Sequence, residues 1–249
     1  MVPMVGDRRA ALILLLILCS VLVAFPNVGV VKAEDTIYIR ADGIVEGTDK
    51  IQRDGDVYTL TSDIFGGITV RRDFIVIDGA GYAVRGRGEG RGIDLKGCVN
   101  VTVQNLQIID FLSGIRIVSG ANNIIKNNTF VNNINPISIA YSGGGGHVIT
   151  ENSFIDGTFI IVWLSPHPTV DRNYWDDYNG TDADGDGIWD IPYVYGGDQE
   201  TKYMDYHPLM VPVPIIPEFP SWIILPLFLT ATLGILFYSK RLRVCLRHF

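Results

Sequence analysis

A six-residue phrase recurs along this chain at nearly constant spacing, and that recurrence constrains the fold more than any other feature. Ile125-Lys-Asn-Asn-Thr-Phe130 returns as Ile149-Thr-Glu-Asn-Ser-Phe154 and again as Val170-Asp-Arg-Asn-Tyr-Trp175. Looser copies begin at Ile77 and Val103, each followed five positions later by a large apolar residue, Tyr82 and Ile108. The starts at 77, 103, 125, 149 and 170 are 26, 22, 24 and 21 residues apart. One copy is too short to bury its own apolar face, so copies must stack and share a core; the period predicts a solenoid.

Between Gly67 and Trp175 each unit consists of short β-branched runs separated by Gly, Asn and Asp turns, for example Ile68-Thr-Val70, Phe74-Ile-Val-Ile77 and Pro136-Ile-Ser-Ile-Ala140. No window sustains a helical period, and runs this short between turn signals predict strands. Ile93, Ile115 and Ile137 form a second series at 22-residue steps. Two or three strands per unit make one coil of a parallel β-helix, five to six coils in all. A leucine-rich repeat is disfavoured because leucine is scarce here and nothing would form its return helix. Aligning the copies places Ile108, Phe130, Phe154 and Trp175 in one inward column that grows in size and plugs the end. Asn128, Asn152 and Asn173 align as a hydrogen-bonding ladder, with Asn105 one residue out of register.

The ends differ from this body. Residues 1–33 read as a signal peptide: Arg8 and Arg9 precede the apolar run Ala11 to Ala24, and Val31-Lys-Ala33 suits cleavage. Residues 34–66 are expected to be a cap of strands, 67–175 the β-helix, 176–212 an acidic closing segment and 213–220 a Pro-rich linker. Residues 221–239 are expected to be a transmembrane helix. Trp222 to Tyr238 carries no charge and spans roughly 25 Å as a helix. Residues 240–249 follow as a basic tail, where Lys240, Arg241, Arg243 and Arg247 favour the inside. The body would then sit on the extracellular face of a single-pass protein, its C-terminus inside.

Glu34 to Glu218 holds 26 acidic and 13 basic residues, a net charge of −13, which argues against nucleic acid as a partner. Cys98 is the single cysteine of that segment, so no disulfide framework supports it.

Ile75-Val-Ile-Asp-Gly-Ala-Gly-Tyr82, Gly92-Ile-Asp-Leu95 and Asn123-Ile-Ile-Lys-Asn-Asn-Thr-Phe130 resemble the right-handed parallel β-helix proteins of the NosD-like, carbohydrate-binding and sugar-hydrolase group. The run from Asn173 to Asp190, followed by Ile191-Pro-Tyr193, is similar to the terminal segment of secreted archaeal members. Pro217-Glu-Phe-Pro220 resembles the C-terminal sorting signals of archaeal surface proteins, which implies a processed tail. The resemblance covers about residues 57 to 210 and implies a right-handed coil with polysaccharide or surface glycan as ligand.

Asp182, Asp184, Asp186 and Asp190 stand at positions 1, 3, 5 and 9 of a tight loop, with Gly187 at 6 and the Ile188 carbonyl at 7. This is the first half of a Ca2+ loop; the acid of position 12 is missing, since Tyr193 stands there. Asp110, Asp156 and Asp177 share a column, with Asn132 between the first two, and are the candidate catalytic carboxylates; the alternative is that they are turn residues. A lyase would use a base such as Arg172 beside the acidic loop. Met204, His207 and Met210, spaced three apart, offer soft copper ligands or a closing strand. His147 and His167 are scattered. Arg85, Arg87 and Arg91 read as a solvated turn or an acidic-glycan contact. Asn100, Asn127 and Asn179 open glycosylation sequons, Asn127 being the most enclosed.

Together these features predict a surface-anchored, noncatalytic β-helix with a carbohydrate-binding or envelope role. A polysaccharide hydrolase or lyase and a copper-handling accessory protein are the alternatives.

Overall fold

The computed structural model describes residues 36–141, 143–156, 160–197 and 202–214. The expected signal peptide and transmembrane helix lie outside these, and among the described residues no helix is long and apolar enough to cross a membrane.

The repeats coil into three parallel sheets that face one another across a common core. The first runs Ile37–Ile39, Ile68–Val70, Arg91–Asp94, Ser113–Val118, Asn135–Ala140 and Ile160–Trp163. The second runs Val57–Leu60, Val76–Asp78, Thr102–Gln104, Ile124–Lys126, Val148–Thr150 and Thr169–Asp171. The third runs from Ile64–Phe65 to Tyr174–Trp175. About five turns at the strand spacing of ~4.8 Å give a stack of roughly 24 Å. Parallel pairing reaches below residue 67, so the first rung draws on residues expected to form only a cap. Two antiparallel strands, Val45–Glu46 and Ile51–Asp54, close the lower ends of the first two sheets.

The column through Ile77, Val103, Ile125, Ile149 and Val170 pairs rung to rung as the spacing predicts, and so does Ile93, Ile115 and Ile137. The aromatic column is continuous: Phe130 stacks on Phe154 at 5.1 Å and Phe154 on Trp175 at 4.4 Å. Each buried ring contributes about 1.5–3 kcal/mol by leaving water and about 0.5–1.5 kcal/mol more by stacking. Tyr193 and Tyr195, on the strand Tyr193–Gly197, continue the stack above Trp175. Tyr82 is the exception. Val84, not Tyr82, pairs with Ile108, and Tyr82 is 38% exposed. The corner before it holds two residues in the left-handed region, Ala80 (φ 48°) and Gly81 (φ 87°), where later coils turn on one. The wider corner delays the next strand by two residues. Gly79 is required there, because a Cβ would stand 2.3 Å from the Asn105 carbonyl oxygen.

The asparagine doublets 122–123, 127–128 and 132–133 mark three successive corners of one coil. The first member of each has φ of 52° or 53° and bends the chain, a conformation Asn tolerates better than most residues. The second points inward and is buried, with at most 2% exposure. Its side-chain oxygen accepts the amide of the coil below: Val101 from Asn123, Leu106 from Asn128 and Phe111 from Asn133, at 2.9 to 3.1 Å. Its Nδ2 donates to a carbonyl of that lower coil.

Candidate functional site

The Asn128 ladder rises as the sequence predicts. Asn128 Nδ2 donates to Asn152 Oδ1 at 3.1 Å, and Asn152 Nδ2 to Asn173 Oδ1 at 3.0 Å. Its upper end was not legible in the repeat: Asp205, on the strand Lys202–Asp205, is fully buried and takes the place of the next rung. Its Oδ2 accepts from Asn173 N, Asn173 Nδ2 and Trp175 Nε1 at 2.9, 3.1 and 3.1 Å, and Oδ1 from Arg172 N and His207 N. An asparagine would aim its NH2 at one of these two donor sets; a carboxylate, which only accepts, fits both. A second ladder runs from Asn123 to His147, whose Nδ1 accepts the Asn123 amide at 3.2 Å. Burial lowers the His147 pKa, and its buried Nε2 has no partner.

The candidate catalytic carboxylates separate into different duties. Asp110 and Asp156 occupy equivalent corners with Asn132 between them, and all three are left-handed, at φ 61°, 54° and 52° respectively. Two rungs put the acids about 10 Å apart, and the Asn132 amide between them donates to Asp110 Oδ1. Asp177 lies past the last rung, where its two oxygens accept from the Tyr193 hydroxyl at 3.0 and 3.1 Å. Burial, together with that carboxylate, raises the Tyr193 pKa.

In the acidic loop, the Asp182, Asp184 and Asp186 carboxylates lie within 4.8 Å of one another. Asp190 stands outside that group but is tied to the same loop, its Oδ2 accepting from Ala183 N at 2.9 Å. The loop also braces itself. Asp182 accepts the amides of Gly185, Asp186 and Gly187. Desolvation pushes the Asp182 pKa up, but these amides outweigh it and hold the group below its ordinary value. Ile188 bridges to Leu209, which fastens the loop to the chain that follows Asp205.

Residues Leu209 to Pro214 run back along the corner column of Asn127, Glu151 and Arg172, with Val213 N donating to Ser153 Oγ at 2.8 Å. They border a groove of about 300 Å³ that Gly187 also lines. Arg172 and the acidic loop thus meet at one groove. Asn127 sits half-buried in it, whereas Asn100 and Asn179 are exposed. The copper candidates are not gathered as a set by any contact. His207 Nδ1 is held by Asp171 at 2.7 Å, and Met204 pairs with Val194 on the hairpin. Residues 206–210 do not form the closing strand expected there; Lys202–Asp205 does. His167 packs on the Tyr203 ring at 3.9 Å. Arg85 pairs with Asp63, while Arg87 and Arg91 are exposed. Cys98 is buried, and burial pushes its thiol pKa up to about 12. Tyr141 and Trp163 form an exposed aromatic pair that no repeat in the sequence announces, with ring centroids 4.9 Å apart.

Comparison with curated proteins and with solved structures returns no match. The family described as right handed beta helix region matches residues 56–188, more than half of the chain and nearly all of the coil described above. The chain therefore belongs to the right-handed β-helix family.

Proposed function

We propose that this protein is a noncatalytic, surface-anchored β-helix that binds carbohydrate and serves the cell envelope. The observation that carries this reading is the employment of its carboxylates: Asp110 and Asp156 shape corners, Asp177 holds Tyr193 and Asp205 closes the ladder. Hydrolysis of a glycosidic bond asks instead for an acid and a base converging on one bond. The apolar C-terminal segment of residues 221–239 supplies the anchor in this reading, and Ca2+ at Asp182, Asp184 and Asp186 an accessory brace. The calcium part rests on the gathering of those three carboxylates alone. Incubation with a panel of polysaccharides tests the reading. Retention on at least one of them, without new reducing ends or unsaturated sugars, is expected; product formation that persists in an Asp205-intact, folded sample would refute it.

The groove shared by Arg172 and Gly187 favours a lyase as the second reading, with Arg172 as base near a cation-bound acidic sugar. Unsaturated product that requires Ca2+ and is lost in Arg172→Ala would establish it.

A further inference from the structure

The corner that follows the first sheet changes character up the stack. Gly97, Ser119 and Tyr141 donate their amides to Val118, Ala140 and Trp163 of the coil above, so Gly97, Ser119, Tyr141 and Leu164 occupy equivalent positions. All four are left-handed, with φ of 79°, 56°, 53° and 49°. Glycine accepts this backbone freely; a bulky residue with a Cβ loses about 1–2 kcal/mol in it. Core packing does not offset that loss, because Tyr141 is 50% and Leu164 66% exposed. Trp163, paired in register with Ala140, is 56% exposed. Its ring meets that of Tyr141 at 67°, so the two make an open, angled notch above the small side of the column at Ser119 and Gly97. Left-handed corners recur throughout the coil, and what sets this one apart is its pair of exposed aromatic rings.

We propose that this notch is a subsite for a neutral glycan, one pyranose ring seating its C–H face against Trp163 with Tyr141 at its edge. This inference rests on the carbohydrate reading above and specifies where and what the protein binds. Two flat, amphipathic rings, Trp163 at the end of a strand and Tyr141 at the corner just past one, offer apolar contact together with the indole N–H and phenol O–H as hydrogen-bonding groups, which matches a sugar's alternation of C–H faces and hydroxyl rims. An acidic glycan would meet a segment carrying a net charge of −13. A second copy of this chain fits less well: two aromatic side chains and one leucine expose on the order of 400 Å², half of the roughly 800 Å² per partner in a standard interface.

Affinity electrophoresis of the full chain through gels cast with β-glucan, mannan or galactan, against polygalacturonate and alginate, tests the proposal. Retardation by at least one neutral polymer is expected, weakened at least tenfold in Trp163→Ala. Tyr141→Asn should weaken it too while raising Tm, since asparagine suits the left-handed corner. An unchanged far-UV circular dichroism spectrum verifies that Trp163→Ala is folded. Neutral retardation that survives both substitutions overturns the notch and leaves the carbohydrate reading standing. Retardation by the uronate polymers alone overturns the neutral class. No retardation by any polymer overturns both the notch and the reading beneath it.

Discussion

Replacing Asp205 tests how the coil is closed. In Asp205→Ala two buried donors, Asn173 N and Trp175 Nε1, lose the acceptor that the structure gives them. Asn173 Nδ2 keeps the carbonyls of Ile149 and Asp171, and Arg172 N and His207 N lie on exposed residues where water reaches. Two orphaned donors at about 1–3 kcal/mol each predict a loss of about 4 kcal/mol. Asp205→Asn is the informative contrast. With its amide oxygen at the Oδ2 place it retains Asn173 and Trp175, and only Arg172 N and His207 N meet its NH2, a loss of about 1–2 kcal/mol. Urea titration followed by circular dichroism measures both. Because each coil contacts only its neighbours, the alanine variant should also fray first at the C-terminal coils and so broaden the transition. A loss below about 1 kcal/mol in Asp205→Ala, or an asparagine variant as damaged as the alanine one, would refute this account of the cap.

His147 makes the stability pH-dependent. Burial lowers its folded-state pKa, so the unfolded chain binds a proton first; stability is full above about pH 6.5 and falls as pH drops below it, by at most about 1.4 kcal/mol per unit. His147→Asn, which restores the side chain used at the neighbouring rung, should flatten Tm between pH 5 and about 6.5; an unaltered slope would dismiss His147 as its source. Calcium added to chelator-treated protein should raise Tm if the three gathered carboxylates hold the ion, and Asp184→Ala should remove that rise. Indifference to calcium would leave a turn braced by its own amides.

The inward residues of the coil were legible because every rung poses them the same problem. Phe130, Phe154 and Trp175 fill one column, and Asn128, Asn152 and Asn173 bracket one corner, so similarity in sequence translates directly into register. Tyr82 failed that translation because a corner with two left-handed residues instead of one shifts every residue after it. His147 was hidden because its Nδ1 imitates an asparagine oxygen by position alone. Asp205 was hidden for a different reason: it follows the last repeat by 30 residues and returns to the ladder only through the closing hairpin. The candidate sites were the least legible. Acidic residues at corners and in tight turns look alike in sequence whether they accept amides or face a ligand. The aromatic notch has no repeat signature at all, since Tyr141 stands where Ser119 and Gly97 stand below it.

The asparagine-rich stretch that defines the repeat is scaffold, one asparagine of each pair bending the chain and the other tying it to the coil below. Urea denaturation of two adjacent substitutions tests this most directly. Asn127→Gly keeps the left-handed corner and should alter stability by less than about 0.5 kcal/mol. Asn128→Ala leaves Leu106 N without its acceptor inside the core and should destabilise by about 1–3 kcal/mol. Equal losses at the two positions, or a larger loss at residue 127, would contradict the claim.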